Sequence, residues 1–368
     1  MTNKYIEYYT LVTEQEKVPG RRYFSFAKDL FYEGNFSDNM PELNMDSELV
    51  KAEIVEIIKF WFDLGVAGFR LDATKYIYFN ETRRNVEFWN WFMGEVRKIK
   101  PDAYVVGETW SSDILVAPYY EAFSNFDFGM AQSTGAISAA ARGYDSVNSY
   151  VRYLNSYRNM ITKVNPDAIM TPFISNHDQN RAAGYLSLED HVMHMAANLY
   201  IWTYGTPFLY YGEEIGLLGS RGNENTDANR RLKMLWGDND KVGNPIGTTF
   251  PDERQVNGSV RSQLNDRNSL LNHYKKVIML RNANPEIGRG TYTPINFEDY
   301  YTFGGFLSTY NNSSVGVFHN TGEIELVIDL SKYTNHKFSQ VRGYAGKGKA
   351  SLDGNTLTIK PMTSVILK

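Results

Sequence analysis

The chain has 368 residues, 42% of them hydrophobic, a formal charge of −4 and no cysteine. That length points to two or three domains with an ample core, and the missing thiols exclude disulfides, thiol catalysis and zinc–thiolate sites. The small, evenly spread charge argues against nucleic acid or a membrane surface as partner, and no stretch reaches the roughly 18 apolar residues of a membrane span. Tyrosine, phenylalanine and tryptophan make up 14% of the chain. Such rings stack on the apolar faces of sugars as well as they fill a core, so composition permits carbohydrate binding without requiring it. The opening MTNKYIEYYT has no cationic segment followed by an apolar one, so no signal peptide is expected in this chain and the compartment stays unassigned.

The first 45 residues read as irregular, with strand-like pieces at 5–13 and 22–32. From Ser47 onward, helical patterns alternate with short apolar runs, which is the signature of βα units in a parallel sheet. Residues 49–64 place Ile54, Ile57, Ile58, Trp61 and Phe62 along one helical face, and VAGFRLD (66–72) follows as a strand. A helix over 83–99 leads to strand AYVVGE (103–108). A weaker unit runs through FSNFDF (123–128) to a helix near 146–162. Strand AIMTPFISNHD (168–178) precedes a helix at 188–202, and TPFLYYGEE (206–214) is the last strand. Its helix, near 264–283, comes after a long loop rich in Gly, Asn and Asp and ends at the polar breaker RNANP (281–285). The expected fold class is therefore α/β, with five βα units in a parallel sheet. Beyond 285 the pattern changes to short alternating strands, read as an antiparallel β-sandwich. The expected domains are 1–45, 46–285 and 286–368.

Three of the parallel strands end in acidic residues, at Asp72, Glu108 and Asp178. In parallel α/β folds, chemistry sits at the C-terminal ends of strands. Glycosidic hydrolysis with retention needs a carboxylate nucleophile and a second, protonated carboxyl about 5–5.5 Å away, which adjacent strand ends can supply. Arg70 lies on the same strand face as Asp72, and its fixed cation favours an ionised Asp72. Glu108, in contrast, has to hold a proton near neutrality, which burial would promote. His177 and Asp178 can bond substrate hydroxyls and favour a cationic transition state. A lone strand-ending aspartate is more often a turn or helix cap than a catalyst. Three of them in order, at domain-scale spacing, weaken that bland reading.

These blocks carry a resemblance. GFRLDATK (68–75), GETW (107–110) and FISNHDQNR (173–181) resemble the second, third and fourth signature regions of the α-amylase family of glycoside hydrolases. MPELN (40–44) is similar to the short block in that family's inserted domain, and GTPFLYYGEEIG (205–216) to its eighth-strand block. The resemblance implies Asp72 as nucleophile, Glu108 as acid/base and Asp178 as transition-state stabiliser. It also implies Arg70 and His177 as contacts to the cleaved sugar and Lys75 to the leaving-group side; Tyr76 and Trp110 complete the candidate substrate contacts. By the same resemblance residues 1–45 would be a remnant of the inserted domain, and the five βα units would be strands four to eight of an incomplete (β/α)8 (TIM-type) barrel lacking its first three strands. Tyr76 stands where the family usually has His, and Glu42 where the inserted-domain block commonly has Asp. No cofactor is required by this reading, and calcium at the family's usual site is expected to be weak or absent.

The expected substrate is an α-1,4-linked glucan or maltooligosaccharide. The rivals are an oligosaccharide α-glucosidase or transglycosylase, and a catalytically impaired carbohydrate-binding relative. Bare parallel edges at VAGFRLD and TPFLYYG are an association hazard, so a homo-oligomer covering them is expected.

Overall fold

The structure, a computed structural model, describes residues 3, 5–237 and 240–368. The chain divides into two compact units, Met1–Phe126 with Val164–Ala168, and Asp127–Lys163 with Ile169–Lys368.

The first unit begins with a small antiparallel sheet of β1 (Leu11–Val12), β2 (Tyr23–Ala27) and β3 (Leu30–Glu33) in the order β1-β3-β2. Lys28 and Asp29 form the β2–β3 turn, with Asp29 at φ 58°, a conformation aspartate tolerates better than most residues. Next come α1 (Glu48–Asp63), β4 (Gly68–Leu71), α2 (Thr82–Ile99), β5 (Tyr104–Gly107), the short α3 (Asp113–Val116) and β6 (Ser124–Asp127). Strands β4, β5 and β6 pair in parallel. Against them α2 turns Val86, Trp89, Phe92, Met93 and Val96, spaced three and four apart, into a core shared with Leu71, Val105 and Phe123.

The inward face of α1 differs from the one expected. Val50 and Ile58 are buried, with Ile54 and Phe62 half-buried against the core, whereas Ile57 and Trp61 lie exposed beside Phe60 and Leu64. The apolar residues of this helix cover a broad face opposite Glu48, Lys51, Glu56, Lys59 and Asp63, so periodicity alone could not choose which part of that face is buried.

The second unit holds α4 (Ala136–Ala141), α5 (Val147–Val164), β7 (Thr171–Pro172) and α6 (Val192–Ile201). After them come α7 (Val260–Asn265), α8 (Leu270–Ala283) and α9 (Glu286–Arg289). The predicted strand over 168–178 narrows to β7, and 206–214 forms no strand, so four of the five expected parallel strands are present among the described residues. There the amide of Thr206 donates to Met170 O at 2.8 Å and that of Phe208 to Pro172 O at 2.9 Å. Gly212, at φ 83°, then turns the chain into a 3-10 turn over Glu213–Ile215; a Cβ at Gly212 would meet Leu217 at 2.8 Å. The predicted helix near 264–283 is two helices, because Ser269 caps α8 by accepting from the Asn272 amide.

The C-terminal strands are β8 (Thr291–Ile295), β9 (Phe303–Tyr310), β10 (Ser313–Asn320), β11 (Leu326–Asp329), β12 (Val341–Gly346), β13 (Ala350–Asp353), β14 (Thr356–Ile359) and β15 (Thr363–Leu367). They form antiparallel sheets in the orders β12-β15-β10-β9-β8 and β11-β14-β13. Phe297, Phe303, Phe318, Ile328, Leu357 and Val365 share one buried cluster within this β region. This region lies in one compact unit with α4 to α9. Buried side-chain amides make the join. Asn148 on α5 donates to Phe297 O and Tyr300 O, and Asn198 on α6 donates to Ala345 O and Ser364 Oγ.

Candidate active site

In the first unit, the parallel register pairs Arg70 with Val106 and Leu71 with Gly107, so Asp72 and Glu108 leave their strands side by side. Gly107 has to be glycine here, since a Cβ would sit 2.2 Å from the Phe123 ring. The Glu108 amide donates to Leu71 O at 2.8 Å, and the Thr74 amide donates to Glu108 O at 3.1 Å, which locks the two strand ends together. Between them Ala73 adopts φ 46°, a left-handed conformation costly for a non-glycine residue, and its amide donates to Glu108 Oε2 at 3.3 Å.

One guanidinium serves both carboxylates. Arg70 Nη1 bonds Asp72 Oδ1, and Nη2 lies 2.7 Å from Glu108 Oε1. The small fork of a guanidinium keeps two carboxylates that share it close together. Their surroundings differ: the Asp72 side chain is 73% exposed and that of Glu108 only 9%. Burial disfavours charge on Glu108 while the Arg70 contact favours it.

Behind these carboxylates runs a buried hydroxyl chain that sequence reading missed. Thr74 and Thr109 share a hydrogen bond of 2.6 Å, and Thr109 Oγ1 donates to Asn125 Oδ1 at 2.6 Å. Trp89 Nε1 closes the chain by donating to Thr74 O at 2.9 Å. The chain joins the tips of β4, β5 and β6. The signal was there: a threonine follows each carboxylate at one or two residues, in DAT and ET.

Lys75 donates to Trp110 O at 2.7 Å and its ammonium lies 5.0 Å from the Tyr76 ring centre. Tyr76 packs on Phe36 and Phe79, at 5.1 and 6.1 Å between ring centres. Trp110 is exposed. A cleft of about 330 Å³ is lined by Lys75, Tyr76, Phe79 and Ser111. Arg70, Asp72, Lys75, Tyr76, Glu108 and Trp110 all fall in this first unit.

His177 and Asp178 fall in the second unit, beyond β7. His177 Nε2 lies 3.1 Å from Asp178 Oδ2. Two arginines unforeseen from sequence hold this pair. Arg231 places Nη2 2.7 Å from Asp178 Oδ1 and donates from Nε to His177 O at 3.2 Å. Arg230 donates to Asp178 O at 2.6 Å and also bonds Asp227. Hydrogen bonding from Arg221 pulls the Asp227 carboxyl down to about 2, so that anion persists beside the arginines. The consecutive arginines in the loop after the last barrel segment were the available cue.

Among the described residues, no three acidic, imidazole or thiol side chains are grouped to hold a metal ion. Calcium prefers six to eight oxygens, and the Tyr76 ring is turned into aromatic contacts.

Residues 3–290 match the α-amylase catalytic-domain family. The chain is 29% identical to Alpha-amylase 3 of Dictyoglomus thermophilum, across 99% of this chain and 70% of that protein. It is 31% identical to Alpha-amylase SusG of Bacteroides thetaiotaomicron, across 83% of this chain and 45% of that protein. Among solved structures, Eubacterium rectale Amy13B superposes with a TM-score of 0.89 at 30% identity, covering 99% of this chain and 71% of that one. More distant relatives are named 4-alpha-glucanotransferase, from Thermotoga maritima at 26% identity, and Oligo-1,6-glucosidase, from Parageobacillus thermoglucosidasius at 25%. Likeness of fold assigns the βα portion to a (β/α)8 barrel followed by a C-terminal β domain. With the family matched over most of its length and the carboxylates at the tips of parallel strands, the chain belongs to the α-amylase family of glycoside hydrolases.

Proposed function

We propose that the chain is a retaining α-glycosidase acting on α-1,4-glucosidic bonds in starch-like glucans or maltooligosaccharides. The observation that carries this reading is the Arg70 guanidinium bonded to both Asp72 and Glu108 at neighbouring strand ends. Asp72 attacks the anomeric carbon while Glu108 protonates the departing oxygen, giving a covalent glycosyl–enzyme. Water then attacks that intermediate as Glu108 takes its proton back, and the configuration is retained. Asp178, oriented by Arg231, is assigned stabilisation of the oxocarbenium-like transition state, and His177 a hydrogen bond to a sugar hydroxyl. Lys75, Tyr76 and Trp110 receive the leaving-group side along the cleft beside them.

Reducing-sugar release from soluble starch and from maltooligosaccharides tests the proposal, with Asp72→Asn as control. Release by the parent chain that the variant lacks supports it; equal release by both, or none by either, overturns it. A second reading, an oligosaccharide α-glucosidase or transglycosylase, draws on the relatives named for those activities. Product analysis distinguishes the two, because transfer to a second sugar yields oligosaccharides longer than the substrate. A catalytically impaired carbohydrate-binding relative is the reading left if glucans bind without being cleaved.

A further inference from the structure

Glu213 is a carboxyl that the proposed mechanism leaves unused. It opens the 3-10 turn over Glu213–Ile215 and is 3% exposed. Three hydroxyls converge on it. Tyr200 on α6 donates to Oε1 at 2.6 Å, Tyr274 on α8 donates to Oε1 at 2.8 Å, and Ser175 Oγ donates to Oε2 at 3.2 Å. Ser175 lies three residues before Asp178, on the segment leaving β7. The backbone of that segment is held by Gln132, whose amide donates to Ile174 O at 2.9 Å, and by Tyr185, whose hydroxyl donates to the same oxygen at 3.1 Å. Arg230 and Arg231 hold the Asp178 end of this segment, and the bond from Ser175 to Glu213 holds its start.

A carboxyl is a costly way to fill a buried space. An amide or an apolar side chain of similar size would avoid the desolvation penalty. What the carboxylate alone offers is acceptor capacity for three donors, and protonation converts one of its oxygens into a competing donor. Burial pushes Glu213 up to about 7, with the three hydroxyls pulling the other way and the neighbouring Glu214 adding to the rise. The other ionisable groups facing it are Arg181 on the loop beyond Asp178, Tyr185, Tyr200 and Tyr274.

We propose that Glu213 is a positioning residue for Asp178. Ionised, it gathers Tyr200, Tyr274 and Ser175 and fixes the 175–178 turn; protonated, it loosens Ser175 and lets that turn shift. Activity therefore rises as the solution passes from mildly acidic to mildly alkaline, through a group that touches no substrate. The inference rests on the reading of Asp178 as transition-state stabiliser.

The test compares the full chain with Glu213→Gln and Ser175→Ala. Two readouts are taken across the neutral pH range: kcat and KM on a maltooligosaccharide, and amide hydrogen exchange of residues 174–179. In the parent, exchange of that segment is expected to slow, and kcat to rise, through one inflection near neutrality. Glu213→Gln should lose the inflection in both readouts, with kcat down about tenfold at the alkaline end, as small misplacements of catalytic groups cost, and KM little changed. Ser175→Ala, a milder change, should loosen the same segment without altering the rest of the exchange map. A folded Glu213→Gln chain with the parent's inflection and parent-like exchange at 174–179 overturns the proposal. So does unaltered exchange in Ser175→Ala, which carries the test should Glu213→Gln not fold. If no glucan is cleaved yet exchange at 174–179 still follows Glu213, the glycosidase reading fails and the positioning role stands.

Discussion

Arg231 holds Asp178 by an ion pair of 2.7 Å between Nη2 and Oδ1, while its Nε takes the carbonyl oxygen of the preceding His177. Side chain and backbone are gripped by one rigid fork, so rotation of the Asp178 carboxylate is restrained from both sides. Arg231→Lys keeps the charge but loses the fork. A fall in kcat on the order of tenfold to a hundredfold is expected, consistent with the cost of a small misplacement. The melting temperature should move little, because this pair is part-exposed and surface ion pairs contribute little to stability. Steady-state kinetics beside a thermal melt would check both halves.

Asp72→Asn and Glu108→Gln should each leave the fold intact and remove most turnover. General acid–base groups contribute about 10²–10⁴-fold, and loss of Glu108 belongs in that range. The two variants differ on an activated substrate whose leaving group needs no proton, such as an aryl glycoside. There Glu108→Gln should keep its first step, seen as a burst of released phenol, whereas Asp72→Asn should show none.

Gly107→Ala probes the packing behind the carboxylates. The added methyl would meet the Phe123 ring at 2.2 Å, and both residues border the core of the first unit. Overpacking of this kind costs about 1–3 kcal/mol. Urea unfolding should record that loss, and Gly107→Ala combined with Phe123→Leu should recover part of it.

Three buried imidazoles set the acid limit. Burial lowers His194 to about 4, and His273 and His319 to about 3. In each case the folded value lies below the unfolded one of about 6.5. Each histidine is therefore neutral in the fold, and the unfolded chain binds the extra proton first as pH falls. Their stabilising contribution is present above about 6.5 and is lost as pH falls from there toward 4 and 3. Glu213 works in the opposite sense: its raised folded value means that its contribution is lost as pH rises through about 7. Melting temperatures measured against pH should fall on the acid side of 6.5, and His319→Gln should flatten part of that slope.

The exposed face of α1 is a candidate surface for the self-association expected from the bare strand edges. Ile57, Phe60, Trp61 and Leu64 are open to solvent on one helix, and contiguous apolar patches of that kind mark interaction surfaces. Light scattering should give a mass above the 42.2 kDa of one chain. Phe60→Lys with Trp61→Glu should reduce it, and a monodisperse monomer at high concentration would refute the expectation.

The order of most elements, and the strand-end positions of Asp72 and Glu108, were readable because periodicity and strand-ending carboxylates are local signals. Helices α1, α2 and α5 came out within a few residues of their expected ends for that reason. What could not be read depended on partners far away in sequence. The buried side of α1 is chosen by neighbours, not by its own pattern. Strands β12 and β13 carry little alternation of their own, and pairing with β15 and β14 secures them. Arg231 and the hydroxyl chain from Thr74 to Asn125 were invisible as single residues, since their meaning lies in what they bond.

The amides of Asn148 and Asn198 have a practical corollary for anyone shortening or grafting this protein. Cutting the chain after residue 285 would strip both side chains of carbonyls they now bond inside the protein, and would uncover the helices that carry them. Each stranded polar group costs about 1–3 kcal/mol, a large share of what holds a domain together. The β region thus behaves as a keystone and not as a detachable accessory. Swapping it for the equivalent region of a relative should work only if loops able to receive those two asparagines travel with it.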